Sequence, residues 1–349
     1  MKRSLFTEME SFHLQIMTSQ MKKNIAIIAG GDSSEEVVSL KSAQGIYSFI
    51  DKQKYNVYIV TIIGTVWQYV DENDVIYPID KNDFSVVTSA GKIKFDFAYI
   101  TIHGTPGENG LLQGYLDLMR IPYSCCGVLA AAVTFNKFTC NHYLKSFGFS
   151  IAKSVLLREG ETMPTDKVIA EIGLPCFVKP NVGGSSFGTT KVKEASQVQE
   201  AIAHAFAEGN EVIIESFMKG TEITCGCYKV KGKTVVFPIT EVVSKNEFFD
   251  YDAKYNADQV QEITPARLSA SMTSRVQDLT SRIYDIIGCK GIIRADFIII
   301  GDEPHLLEVN TTPGMTPTSF IPQQVRAAGL DIQQVLTEII ENEFEKSDK

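Results

Sequence analysis

Two pairs of polar residues interrupt apolar stretches in the last sixth of this 349-residue chain. Arg294-Ala295-Asp296 and Glu308-Val309-Asn310 each sit in a run that otherwise reads as a buried strand. Side chains alternate across a strand, so Arg294 and Asp296 share a face, as do Glu308 and Asn310. Carboxylate and amide oxygens grouped in this way suit a hard cation such as Mg²⁺, with substrate phosphates completing its shell. A solvated polar face is the plainer alternative. The turn that follows, Asn310 to Met315, offers backbone N–H groups beside the same oxygens.

A second chemical element is Lys179-Pro180 followed by Asn181-Val182-Gly183-Gly184-Ser185-Ser186-Phe187-Gly188. Glycines let backbone N–H groups approach a phosphate closely, serines add hydroxyl donors, and Lys179 supplies charge at a strand end. An ordinary surface hairpin would use the same residue types. A third element is His103-Gly104-Thr105-Pro106-Gly107-Glu108-Asn109-Gly110, placed just after the apolar run Phe97-Ala98-Tyr99-Ile100. Ligands of open α/β sheets bind beyond the carboxyl ends of strands, where Glu35 would stand too. Alternatively, Glu35 is helix first-turn charge and His103 a loop histidine.

Other phosphate and metal motifs fail. Gly30-Gly31 is not a dinucleotide fingerprint. Gly232-Lys233-Thr234 matches a Walker loop's tail, but Cys227 stands where its first glycine is required. The seven cysteines include no CxxC pair, which argues against a zinc ribbon or a disulfide framework and for reduced thiols. The net charge of −9 argues against a nucleic-acid partner. No apolar run is long enough to span a membrane, and residues 1–20 lack the apolar segment of a secretory signal, so a cytoplasmic protein is expected. Met21 is a second candidate start.

These groups must be positioned by regular elements. Apolar runs at 25–29, 57–60 and 97–100, with helical stretches between, predict an N-terminal open parallel α/β sheet. Ser33 with Glu36, and Ser196 with Gln199, fit capping boxes. Residues 127–147 read as helix, 176–179, 189–192 and 212–215 as strands, and 222–230 with 234–243 as an antiparallel pair. Residues 246–265 read as a long loop, of a length that is often functional. A helix at 268–287, strands at 291–300 and 305–309, and helices at 322–328 and 332–344 complete the reading.

In this order and at this spacing, the motifs resemble the D-alanine–D-alanine ligase family of the ATP-grasp superfamily. The matching segments are Gly30-Gly31 with Glu35, His103-Gly104 with Gly107-Glu108-Asn109-Gly110, Asn136-Lys137, and Lys179-Pro180 with Gly184-Ser185-Ser186. Phe249-Asp250-Tyr251 with Ala253-Lys254-Tyr255, Gly291 with Arg294 and Asp296, and Glu308 to Thr316 continue it. The likeness covers residues 21–345.

The resemblance implies a three-domain ATP-grasp fold, α/β and α+β. Residues 1–20 form an extension, 21–124 the N-terminal α/β substrate unit, 125–219 the central unit and 220–349 the C-terminal unit. It implies that ATP is a co-substrate, with Lys137, Lys179, Lys254 and the Gly184-Ser185-Ser186 loop on its phosphates. Glu215, Phe217 and Met218 would contact adenine and Glu222 the ribose. Asp296, Glu308 and Asn310 would hold Mg²⁺, or Mn²⁺ in its place. Glu35 would bind the ammonium of a first D-alanine, near His103, and would join Ser185 and Tyr255 in a hydrogen-bonded trio. Arg294 and the Gly314 N–H would face an oxyanion. Ser319 would hold the second D-alanine's carboxylate beside Phe320, where the family usually has leucine. Tyr255 favours an amine acceptor over lactate. A homodimer is expected, as is a role in peptidoglycan precursor synthesis.

Two departures from the family pattern stand out. Val37-Val38-Ser39 lacks an acidic residue after Glu35, which predicts a missing hydrogen bond behind it, and Asn181-Val182-Gly183 lacks the frequent acidic residue before the glycine. The rival readings are a ligase for another acceptor, D-lactate or D-serine, and an ATP-binding module without turnover.

Overall fold

The computed structural model describes residues 22–184, 187–244 and 260–347. Three sheets carry the site. The first begins with β1 (Lys23–Gly30), whose unbroken apolar sequence is buried on both faces. It pairs in parallel with β2 (Tyr55–Ile63) and, on its other side, with β7 (Phe97–Ile100); helix α1 (Glu36–Phe49) makes the β1-to-β2 crossover. These are the parallel strands expected. An antiparallel meander extends the sheet: β3 (Val66–Val70), β4 (Ile76–Asp80), β5 (Ser85–Thr88) and β6 (Gly91–Lys94). Its strands are four or five residues long and half exposed, so no apolar run announced them.

The expected Ser33 capping box is not formed. Helix α1 starts at Glu36, and Glu35 occupies the cap without a side-chain bond. The Ser33 hydroxyl is committed elsewhere: it accepts from the Glu35 N–H at 3.2 Å and donates to the His103 carbonyl at 2.8 Å. That bond ties the β1 turn to the loop after β7. Helix α2 (Leu111–Met119) follows that loop, then α3 (Val128–Phe135) and α4 (Lys137–Lys145).

The second sheet has the order β11-β10-β12-β9, with β8 (Ser150–Ile151) preceding it in sequence but lying elsewhere. Its strands are β9 (Ser154–Arg158), β10 (Cys176–Pro180), β11 (Thr190–Val192) and β12 (Glu211–Ser216), all antiparallel. Helices α5 (Thr165–Glu171) and α6 (Val198–Phe206) cover one face and close a core of their own with Val178, Val192 and Ile214. The capping box expected from Ser196 and Gln199 is made instead by Glu194 and Gln197, because a 3₁₀ turn at Ala195–Gln197 precedes α6.

The third sheet runs β16-β15-β13-β17-β18-β8, with β14 also on β13. Its strands are β13 (Thr221–Val230), β14 (Lys233–Val236), β15 (Thr240–Ser244), β16 (Val260–Ile263), β17 (Ile293–Ile300) and β18 (Glu303–Asn310). The single strand expected over 234–243 is thus two. Pro238 falls in the gap and has no N–H to give a ladder. The end of the expected 246–265 loop is strand β16; residues 245–259 lie outside those described.

Helix α7 (Ala270–Ile287) packs on one face of this sheet, and α8 (Phe320–Ala327) and α9 (Ile332–Ser347) on the other. Helices α3 and α4 join the first of these faces: Cys126, Ala130, Cys140, Leu144 and Phe149 share a core with Ile223, Ile293 and Leu306. The first helices of the expected central unit, 125–219, and β8 thus bury their apolar sides on the third sheet. The other face is continuous with the first sheet: Ile25, Ile46 and Phe97 share one core with Met315, Val325 and Leu336. Gly45 permits this closeness. A Cβ there would run into the Met315 carbonyl and stand 3.3 Å from the Thr316 Cα.

Candidate active site

The three sheets surround a cavity of about 930 Å³. Lys137, Lys179, Gly184, Glu215, Phe217, Met218, Glu222, Arg294, Asp296, Glu308, Phe320 and Glu35 all line it. Residues separated by up to 285 positions in the chain thus meet in one space, as the sequence motifs required.

The second sheet forms one wall. Lys179 on β10 and Glu215 on β12 occupy adjacent antiparallel strands and pair at 2.5 Å, both largely buried. Phe217 and Met218 continue from the end of β12, with the Phe217 ring 5.9 Å from that of Phe177. Lys137 opens helix α4, and its Nζ donates to the Gly183 carbonyl at 2.5 Å. Burial pushes the Lys137 ammonium below its ordinary range, and Glu308 opposes that shift.

The third sheet supplies the opposite wall. Asp296 and Glu308 face each other across β17 and β18, and Arg294 faces Asn310, next to a bulge at Asp296/Phe297. The Arg294 guanidinium makes a two-pronged contact with Asp296 at 2.9 and 2.8 Å. Thr224 donates to the same carboxylate at 2.6 Å and Asn310 at 3.0 Å. Burial disfavours the Arg294 charge, but the charge and hydrogen bonds of Asp296 outweigh it and raise its pKa. Two carboxylates and one amide stand together on neighbouring strands; with the Asn310 amide turned to present Oδ1 instead of the Nδ2 that now meets Asp296, they make a hard-oxygen donor set for a cation that takes its remaining ligands from phosphates and water. Among the described residues no group of three acidic, His or Cys side chains is placed to hold a metal, so a cation here would rest on two carboxylates and an amide from the protein.

The first sheet brings up Glu35. Its carboxyl group lies against Gly184, where any Cβ would meet the Glu35 Cδ at 2.9 Å, so the β1 turn and the glycine-rich loop interlock there. Close by, Ser39 accepts from the Gly30 N–H at 3.0 Å and ties α1 to the end of β1.

His103, Asn310, Gly314 and Ser319 stand beside the wall residues. His103 is buried, and its Nε2 has no hydrogen-bond partner among the described residues. The Ser319 hydroxyl accepts from the Thr316 N–H at 3.1 Å and would lie 3.1 Å from a Cβ on Gly314. Phe320 opens α8 with its ring 5.4 Å from the Arg294 guanidinium. Ser185, Ser186, Lys254 and Tyr255 lie outside the described residues.

Sequence reasoning gave no role to three further groups. Glu108 is buried and accepts from the Gly104 N–H at 2.8 Å and the Thr312 hydroxyl at 2.6 Å, bridging the first and third sheets. Burial pushes its carboxyl group up, and nearby His103 opposes the shift. Glu241 and Arg267 form a two-pronged pair at 2.9 and 2.6 Å on the cavity rim. Asn181 is fully buried beneath the glycine-rich loop. The polarity of these residues was visible in the sequence; their partners were not.

Comparison with known proteins settles which family uses such a cavity. Residues 24–126 match the family model for the D-ala D-ala ligase N-terminus, and residues 143–341 the model for the D-ala D-ala ligase C-terminus. This chain belongs to the D-alanine–D-alanine ligase family. It is 68% identical over 325 residues to a D-alanine–D-alanine ligase of Bacteroides fragilis, an alignment covering 93% of this chain and 100% of the relative. The D-alanine–D-alanine ligase of Bacillus anthracis complexed with ATP superposes with a TM-score of 0.75 at 30% identity, over 94% of this chain and 99% of that one. The VanG D-Ala:D-Ser ligase of Enterococcus faecalis superposes with a TM-score of 0.80 at 30% identity, over 92% and 99%. The ATP-grasp architecture expected from the motifs is therefore the architecture observed.

Proposed function

We propose that this chain joins two D-alanine molecules to D-alanyl-D-alanine at the expense of ATP, releasing ADP and phosphate, as a step towards peptidoglycan. The observation that carries this reading is the meeting, in the lining of one cavity, of Lys137 and Lys179 with Arg294, Asp296 and Glu308, and of Glu35 with both. The carboxylate of the first D-alanine attacks the γ-phosphorus of ATP; the bond to the β–γ bridging oxygen breaks and ADP leaves. The amine of the second D-alanine attacks the resulting acyl phosphate at carbon. Phosphate leaves, and the amine's proton is lost.

Each wall has a part. Lys137 and Lys179 offset the charge of a triphosphate approached by a carboxylate. Glu215, Phe217 and Met218 receive the adenine and Glu222 the ribose. Glu35 holds the first ammonium, and His103 lies near the same subsite. Arg294 and the Gly314 N–H stabilise the tetrahedral oxyanion. Ser319 binds the second carboxylate, with Phe320 beside it. Asp296, Glu308 and Asn310 would hold Mg²⁺, or Mn²⁺, which supplies Lewis-acid stabilisation of the phosphates when bound. The roles of Ser185, Ser186, Lys254 and Tyr255 on the phosphates and in the Glu35 trio rest on the family resemblance. Enclosure of the acyl phosphate limits its loss to water.

A homodimer fits the exposed apolar side chains on α2 and α3, where Leu118 is 82% and Leu129 76% exposed. No helix among the described residues is long and apolar enough to cross a membrane, and all seven cysteines are free thiols. With ATP as co-substrate, these features support a cytoplasmic site of action.

The test is ADP release with Mg²⁺-ATP and D-alanine, with the product mass determined, and with L-alanine, D-serine and D-lactate as alternative acceptors. Turnover confined to D-alanine, with the dipeptide mass, supports the proposal. Preference for D-serine, the acceptor named for the VanG neighbour, would move the specificity and keep the chemistry. Nucleotide binding without ADP release under any pairing would favour a non-catalytic module.

A further inference from the structure

Asn181 stands where the family pattern gave no role, two residues after Lys179. It is completely buried. Its backbone carbonyl accepts from the Lys137 N–H at 3.0 Å, and its side-chain Oδ1 accepts from the Phe138 N–H at 2.8 Å. Asn136, the N-cap of α4, takes the next N–H, that of Thr139, at 2.9 Å. The first turn of a helix has no internal partners for these donors, so Asn181, just past the end of β10, completes the cap of α4.

The amide orientation of Asn181 is dictated from behind. Its Nδ2 donates to Glu211 at 2.7 Å, and the same carboxylate oxygen accepts from Asn136 Nδ2 at 3.1 Å. The Asn181 N–H donates to the Glu211 carbonyl at 2.9 Å. Glu211 therefore aligns both caps at once. With Lys137 Nζ on the Gly183 carbonyl, helix α4 and residues 181–183 form one hydrogen-bonded unit that spaces Lys137 from Lys179.

We propose that Asn181, oriented by Glu211, is a positioning residue that holds Lys137 in register with the phosphate loop. This rests on the reading of Lys137 as a phosphate-binding lysine. An unpartnered buried N–H or a misdirected amide would let the start of α4 shift, and Lys137 would meet the triphosphate out of place. The effect falls on ATP and not on D-alanine, whose proposed contacts lie on the first and third sheets.

The experiment uses the full chain with Mg²⁺-ATP and D-alanine, measuring KM for each substrate and kcat. Asn181→Asp keeps the shape and the acceptor but sets a second carboxylate against Glu211. It is expected to raise KM for ATP on the order of tenfold, with a smaller fall in kcat and an unchanged KM for D-alanine. Combining Asn181→Asp with Glu211→Gln relieves the repulsion between the two carboxylates but sets the new amide NH2 against Asn136 Nδ2, which shares the same Glu211 oxygen, so KM for ATP is expected to recover in part. Lys137→Met is the reference. If it raises KM for ATP while Asn181→Asp does not, the positioning role is overturned and the lysine reading stands. If Lys137→Met leaves ATP binding unchanged, both fall. A rise in KM for ATP in Asn181→Asp that the double variant does not lower at all also overturns the proposal.

Discussion

Lys179 and Glu215 hold each other at 2.5 Å across β10 and β12, on the wall where adenine and phosphates are expected to lie. The lysine is therefore not a loose surface charge waiting for a nucleotide. It is fixed by a carboxylate that is almost completely buried, and that carboxylate needs the lysine in return. Truncating Lys179 to Met leaves Glu215 buried and unpaired. A cost of about 3 kcal/mol in stability is expected, together with weaker ATP binding. Thermal unfolding should show a lower Tm for Lys179→Met than for the double variant Lys179→Met/Glu215→Leu, which removes both charges.

Arg294 makes a fork with Asp296 that lysine cannot copy. If it stabilises the tetrahedral oxyanion, Arg294→Lys should lower kcat by roughly 10²–10³ while KM for ATP changes little. Steady-state kinetics with each substrate varied in turn separates the two effects. A rise in KM for ATP at constant kcat would place Arg294 in nucleotide binding instead.

Glu308 is the proposed metal ligand that stands directly across from Asp296 on the neighbouring strand. Glu308→Gln keeps the shape and removes a negative oxygen, so the Mg²⁺ concentration for half-maximal activity should rise steeply and turnover should nearly vanish at millimolar Mg²⁺. Titrating activity against Mg²⁺ after chelation with EDTA measures this. An unchanged Mg²⁺ dependence would remove Glu308 from the metal site.

Lys137 has a lowered pKa because burial disfavours its ammonium. The sign of the effect on ATP follows directly. The charged form binds phosphate, and it is lost as pH rises through the lowered folded value, before an ordinary lysine would titrate. ATP affinity should therefore fall on the alkaline side earlier than the usual lysine range predicts. Lys137→Met should flatten that limb while lowering affinity at every pH. Kd for ATP measured across the alkaline range decides it.

The parts of the site that could be read in the sequence share one property: each is a polar break in an apolar strand or a glycine cluster at a strand end. Asp296, Glu308 and Lys179 announce themselves because burial makes their polarity expensive. Glu108 with Thr312, and Glu241 with Arg267, are hidden for the opposite reason. Each pair joins residues 26 or 204 positions apart, and nothing local in either segment names its partner. Ser33 shows the same limit at short range. Its spacing from Glu36 satisfied a capping rule, yet the His103 carbonyl, brought near by the sheet, took its hydroxyl. The β3 to β6 meander went unseen because its strands bury too little to leave an apolar signature.

The shared core beneath Gly45 has a mechanical consequence. The first and third sheets are welded through Ile46, Met315 and Val325, whereas the second sheet closes a core from its own residues. By their cores the three sheets divide into a joined pair and a separate one. The bonds from α4 to Asn181 and Gly183 cross the boundary between them, so motion of the second sheet against the other two would carry Lys179 and Glu215 together past Arg294 and Glu308 about a tether at Lys137, and leave Glu35 fixed with respect to Gly314.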